Sequence, residues 1–283
     1  MIIITGATGT LGAQIVQQLL TRVPASQIGV SVRDPAKAAD LAAQGVRVRA
    51  GDFNDPASLA TSLEGARQVL LISSNTAGAE AVAVHRAAID AARKAGARRV
   101  LYTSHQGANP ASAFVPTVDH AATEQYLADS GLPFTSLRNG FYASTVPRLL
   151  GRALETGELV APADGPVSWT THADLAEATA LALANEGTLD GIAPPLTAGE
   201  AFDLEGIARL LSERTGRTIR RVVADDQAWH DQMVAHGVPA FGASMLLGMF
   251  RASRKGEFDV VNPTLGKLLG RATQTVRDVL PET

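Results

Sequence analysis

The chain opens Met1-Ile2-Ile3-Ile4-Thr5-Gly6-Ala7-Thr8-Gly9-Thr10-Leu11-Gly12, a β-branched run delivered into a turn with three glycines. Ile2 to Thr5 is long enough for a strand buried on both faces. Beyond the turn Leu11, Ile15 and Leu19 recur every fourth residue with Val16 and Leu20 beside them, which draws one apolar helix stripe. A glycine pattern alone says little, but strand before and helix after give it weight. Gly6 permits the tight turn, Gly9 lets a pyrophosphate approach the backbone, and Gly12 lets the helix pack close to the sheet. The helix start offers unpaired N–H groups and partial positive charge to such an anion. A turn with no ligand needs fewer glycines.

The same rhythm runs outward to about residue 140. Ile28, Val30 and Val32 alternate as a second strand, and Val46, Val48 and Ala50 as a third. Gln68 to Ser73, Arg99 to Thr103 and Phe134 to Arg138 read as strands four to six. Asp34-Pro35 and Asp55-Pro56 each pair an N-cap with proline at the first helical position, and Gly96 and Gly131 sit where C-caps fall. An alanine-rich helix from Ala79 to Ala95 ends in Arg93 and Lys94, a solvated end favoured by the helix dipole. The pattern predicts an α/β fold, a doubly wound parallel sheet of Rossmann type in strand order 3-2-1-4-5-6, with or without an added strand. Later, Thr171-His172-Ala173-Asp174 starts a helix in capping-box form that ends near Gly187, and Pro194-Pro195 marks a break. Residues 1–195 are therefore expected to form an NAD(P)-binding domain. Residues 196–283 are expected to form a small C-terminal α/β lobe over the substrate, with a helix from Leu204 to Thr215 and a strand from Thr218 to Val223.

Composition narrows the classes. The 283 residues carry 25 basic and 28 acidic side chains, a net charge of −3, which gives no electrostatic footprint for nucleic acid. At 46% hydrophobic the chain can bury a core. It has no cysteine, so disulfides, thiolate catalysis and cysteine metal sites are excluded. Its histidines lack metal-ligand spacing, and no metal is expected. No run of about 18 uncharged apolar residues spans a membrane. With a strand beginning at Ile2 no presequence is expected, and a cytoplasmic protein follows.

Where enzymes using NAD place an acid at the end of the second strand, this chain has Arg33, 21 positions after Gly12. Its planar fork suits a 2′-phosphate, with Lys37 one turn on as a second positive charge, so NADPH is favoured over NADH. Asp34 is read as the helix cap. Together the Gly6-to-Gly12 spacing, Val32-Arg33-Asp34-Pro35, Gly51-Asp52-Phe53 and Leu137-Arg138-Asn139-Gly140-Phe141-Tyr142 resemble the NmrA-like atypical short-chain dehydrogenases/reductases. Among them the chain is most similar to the type 2 NAD(P)H:quinone oxidoreductases, with triphenylmethane reductase a close relative. The resemblance implies that Thr8, Leu11 and Gly12, with Thr10 in the same turn, line the phosphates and Arg33 the 2′-phosphate. Asp52 and Phe53 would then lie at the adenine edge, and Ser73, Ser74 and Asn75 would flank the middle of the cofactor.

The usual acid of short-chain reductases is missing: none of Tyr102, Tyr126 and Tyr142 has lysine four residues later. The lysine position of related reductases matches His120, which either hydrogen-bonds the nicotinamide ribose or is a plain polar helix residue. Reducing a ketone builds a strongly basic alkoxide that needs a positioned acid. Reducing a quinone builds a phenolate-like oxygen, comparable to tyrosine with a pKa of about 10, that a hydrogen-bond donor can stabilise. Asn139 is the candidate donor at the carboxyl end of strand six, with a turn at Asn139-Gly140 as the alternative. Phe141, Tyr142, Met245 and Phe250 are candidates for an apolar acceptor pocket, alongside Phe241 and Met249, and most of such residues serve as core. Two functions follow: an NADPH-dependent reductase of quinones or flat aromatics, or a non-catalytic NmrA-like redox sensor acting on a protein partner. A monomer or homodimer suits either.

Overall fold

The computed structural model describes residues 1–280. Seven strands form the main sheet: β1 (Ile2–Thr5), β2 (Ile28–Val32), β3 (Arg47–Ala50), β4 (Gln68–Leu71), β5 (Arg99–His105), β6 (Phe134–Asn139) and β8 (Gly191–Ile192). All pairs are parallel in the order β3-β2-β1-β4-β5-β6-β8, the doubly wound order with one added strand. A separate parallel pair joins β7 (Glu158–Pro162) to β9 (Arg220–Ala224). The helices between them are α1 (Thr10–Leu20), α2 (Ala39–Ala43), α3 (Pro56–Ser62), α4 (Ala79–Lys94), α5 (Val115–Asp129), α6 (Val146–Leu149), α7 (Ala153–Thr156) and α8 (His172–Ala184). The lobe adds α9 (Leu204–Thr215), α10 (Asp226–Ala235), α11 (Ala240–Ser253) and α12 (Thr264–Leu269).

Both faces of the sheet's centre are buried, which is why β1 and β4 carry apolar runs, whereas the outer β3 is part exposed and alternates with arginine. Ile4, Leu70, Leu101 and Leu137 pack with Ile15, Val16 and Leu19 of α1 and Leu175 and Leu183 of α8. Ile3, Val69, Leu71 and Val100 face the other way, onto Leu59 of α3, Ile89 of α4 and Leu127 of α5. Asp34, Asp55 and Thr171 cap helices as their sequence context predicts, and Gly96 and Gly131 take positive φ just beyond α4 and α5.

Three of the later elements differ from the sequence reading. The helix from His172 stops at Ala184, before Gly187, and the lobe strand lies at 220–224. β7 is a strand with no counterpart among the sequence-based expectations. The third core gathers Phe114, Phe141, Leu159 and Trp169 with Leu204, Ile207, Leu210 and Leu211 of α9 and with Phe250 and Phe258, so its members lie on both sides of residue 195.

β2 and β4 lie on opposite sides of β1, so the winding of the sheet reverses between β1 and β4. In such sheets ligands lie outside the carboxyl ends of the strands at that reversal. The Gly6-to-Gly12 turn, the 72–78 segment after β4, and the ends of β5 and β6 meet there.

Candidate active site

The glycines of the turn are required for different reasons. Gly6 sits at φ +63°, a conformation that side chains disfavour. A Cβ on Gly12 would lie 2.2 Å from Gly6 O, so the helix can approach the strand only with glycine there. A Cβ on Gly9 would meet only Gly6 O at 3.4 Å, and Gly9 has φ −83° and ψ 167°. The protein itself therefore makes no demand for glycine at 9, and the space in front of it is open. No side chain caps α1, whereas side chains of Asp34, Asp55, Thr171, Asp203 and Asp225 cap five other helices. Thr8 and Thr10 are exposed at the mouth of the turn, and Leu11 is buried beneath it.

At the end of β2, Arg33 and Lys37 are both exposed, and neither is held by an acid among the described residues. Asp34 spends an oxygen on Ala36 N at 3.1 Å. Asp52 accepts from Asn54 N at 2.9 Å, and Phe53 is half-buried against the core below β1 and β4. Ser73 N donates to Thr103 Oγ1 at 2.9 Å and Ser74 N to His85 Nε2 at 2.9 Å, while Asn75 is exposed. Asp119 of α5 accepts from Gly78 N at 2.7 Å, which ties the segment after β4 to α5.

α5 carries His120 and is anchored through a polar face. Glu124, 3% exposed, accepts from Ser104 Oγ at 2.7 Å, Ser136 Oγ at 2.8 Å, and Arg138 Nε and Nη2 at 3.0 and 2.6 Å. A buried carboxylate with that many donors is satisfied, and it fixes α5 over β5 and β6. His120 is half-buried, and its Nδ1 lies 2.7 Å from Tyr102 Oη. His85 Nδ1 lies 3.1 Å from Thr123 Oγ1. Gly107 N donates to His105 Nδ1 at 3.0 Å, and His105 Nε2 is buried without a partner among the described residues. Burial pushes the imidazoles down, His85 to about 4 and His105 to about 3. Burial also lowers His120, helped by His105 and His85. Sequence reasoning gave His85 and His105 no role. Local spacing gives no sign that residues 85, 102, 105 and 120 converge.

Asn139 is 1% exposed, and neither its Nδ2 nor its Oδ1 has a hydrogen-bond partner among the described residues. It pairs in register with His105 across β5 and β6. The Asn139-Gly140 step is no turn: Gly140 has no positive φ, and it is glycine because a Cβ would lie 2.0 Å from Thr170 Oγ1. Burial raises the Tyr142 phenol, and the nearby Asn139 amide opposes that shift without reaching hydrogen-bond geometry. The Tyr142 ring lies 4.3 Å from that of His172. Phe141 meets His105 and Phe258, each at 5.3 Å between centroids. Phe250 is 1% exposed against Trp229, Met245 is half-buried, and both belong to the core that also holds Phe141. Phe241 is 61% exposed and Met249 buried. Among the described residues no three of His, Asp and Glu gather as metal ligands.

This is a doubly wound α/β protein with a dinucleotide-type glycine turn at its switch point and, at the carboxyl end of β6, an amide without a hydrogen-bond partner among the described residues. The chain belongs to the NmrA-like family, which it matches over residues 1–275. It is 37% identical over 281 residues to quinone oxidoreductase 2 of Escherichia coli K12, covering 98% of this chain and 96% of that protein. The E. coli NADPH-dependent quinone oxidoreductase solved with NADPH superposes with a TM-score of 0.92 at 36% identity, covering 99% and 98% of the two chains. Triphenylmethane reductase of Citrobacter sp., solved with NADP(H), gives 0.89 at 34% identity, covering 99% and 100%.

Proposed function

We propose that this protein is an NADPH-dependent oxidoreductase that passes hydride to a quinone or a similarly flat aromatic acceptor. The observation that carries the reading is Asn139, a buried amide at the carboxyl end of β6 with both polar atoms unpartnered among the described residues. Leaving such a group unsatisfied costs about 1–3 kcal/mol, which a ligand at this position would offset. The open space before Gly9 and the uncapped start of α1 fit a pyrophosphate, and the exposed Arg33 and Lys37 fit a 2′-phosphate. Relatives named as a quinone oxidoreductase and a triphenylmethane reductase, solved with NADPH and NADP(H), support the same cofactor and acceptor class.

When bound, NADPH supplies the hydride. The chain's part is placement: Thr8, Thr10, Leu11 and Gly12 hold the phosphates, Asp52 and Phe53 the adenine, and Ser73, Ser74 and Asn75 the middle of the cofactor. His120 faces the ribose, and Asn139 donates to the oxygen on which negative charge develops. The histidines here are neutral near pH 7 and poorly disposed to give up protons. That suits an acceptor whose reduced oxygen is phenolate-like. Phe141 and Tyr142 wall the acceptor side, while Met245 and Phe250 serve the lobe core.

The test is NADPH oxidation, followed by absorbance, with a panel of quinones, dyes and aldehydes and no added flavin or metal. Turnover with quinones is expected. Tight NADPH binding with no acceptor reduced would overturn the reductase reading in favour of a sensor.

A further inference from the structure

The hydrogen bonds around Tyr102 run in a direction that can be worked out from their backbone end. Ser74 N–H donates to His85 Nε2 at 2.9 Å, so that nitrogen is an acceptor and bears no proton. The one ring proton of a neutral His85 then sits on Nδ1. A second constraint agrees. Nδ1 faces Thr123 Oγ1 at 3.1 Å, and that hydroxyl spends its own proton on Asp119 O at 2.8 Å. The hydroxyl is therefore the receiver.

The same Nδ1–H edge lies 3.4 Å from Tyr102 Oη. With a donor on that side, the phenol directs its own hydrogen to its nearer neighbour, His120 Nδ1, at 2.7 Å. Burial raises the Tyr102 pKa, so the proton stays on the phenol. His120 Nδ1 is thus an acceptor, and the ring proton of neutral His120 lies on Nε2. That nitrogen has no hydrogen-bond partner among the described residues, and the half-buried ring stacks 6.1 Å from His105.

We propose that His85 and Tyr102 are positioning residues that fix His120 as the Nε2–H tautomer, so that α5 presents the crevice with a neutral donor for an oxygen of the bound nicotinamide riboside. The choice of ligand rests on the function proposed above; the tautomers do not. A donor of this kind donates to a hydroxyl or carbonyl oxygen and disfavours an N–H or a cation. It also avoids the cost of desolvating a lysine ammonium among Tyr102, His85 and His105.

The experiment uses the full chain labelled with 15N in its histidine rings, free of cofactor, near pH 7. Long-range 15N–1H spectra separate protonated from bare ring nitrogens, and His85→Gln and His120→Gln assign the signals. His120 should carry its proton on Nε2 and His85 on Nδ1. Tyr102→Phe should turn the single His120 form into a mixture of tautomers. His120 protonated on Nδ1 in the wild type would overturn the proposal whether or not NADPH binds, and whether or not the Tyr102 variant folds. With NADPH as probe, His120→Gln keeps an amide donor near the Nε2 position and should bind more tightly than His120→Ala by about three- to tenfold. Equal affinities of the two variants would refute the donor role. Expected tautomers without measurable NADPH binding would sink the cofactor reading and leave the tautomer chain standing.

Discussion

Lowering the pH from 7 to 5.5 should destabilise this protein through its buried imidazoles. His85 and His105 are held at about 4 and about 3 in the folded state, against 6.5 unfolded. Both pKa values are depressed, so the unfolded chain binds more protons as pH falls below 6.5. The stability these groups contribute is complete above that pH and is lost on acidification. Over this interval linkage gives about 1.2 kcal/mol for each group, or about 2.5 kcal/mol for the pair. His120, also lowered by burial, adds in the same direction. Asp119 and Asp164, which burial raises, act with the opposite sign and offset part of the fall. The assay is urea unfolding at both pH values. With an m-value of about 3 kcal/mol/M, the midpoint should fall by roughly 1 M. His85→Gln should remove its own share of that fall. An unchanged midpoint at unchanged m would refute the assignment of these histidines as neutral in the folded protein.

Gly9→Ala should leave the thermal midpoint within a degree or two, because the backbone there suits any residue, yet weaken NADPH at least about tenfold by blocking the pyrophosphate; calorimetric titration checks it. Arg33→Ala should weaken NADPH by about ten- to a hundredfold and hardly change NADH, and equal losses for both would make Arg33 structural. Asn139→Ala should lower kcat by about a hundredfold while moving the NADPH Kd far less; stopped-flow turnover beside direct binding separates the two. Glu124→Leu should cost about 3 kcal/mol of unfolding free energy, because Arg138, Ser104 and Ser136 lose their common acceptor; urea unfolding reads it directly.

The centre of the main sheet was legible because its strands are buried on both faces, and two of the segments after its strands begin at Asp-Pro steps; both are local signals. α5 is harder to read. Its buried face is Thr117, Asp119, Thr123 and Glu124 with a single leucine, Leu127; the four polar residues bind hydroxyls, backbone and Arg138 where a helix usually packs leucines. Apolar periodicity therefore says little about the very helix that carries His120. The glycine turn was legible for the same reason as the strands, since strand, turn and helix are contiguous. Asn139-Gly140 misleads from sequence, because the dipeptide signals a turn while the glycine serves the approach of Thr170 from 30 residues away. β7 stays hidden because its partner, β9, lies some 60 residues further on.

The interleaving of the lobe with the rest of the chain limits how the protein can be recombined. A chimera joined at residue 195 would take β9 from one parent and β7 from the other, and would split the core that holds Phe141, Trp169, Phe250 and Phe258. The exchangeable unit is two segments, 141–169 and 202–280, moved together. The glycine turn, Arg33 and the α5 anchor all lie outside both. The segments that carry Phe141, Trp169, Phe250 and Phe258 can therefore be traded between relatives as one graft, with the half that holds the glycine turn left as it stands.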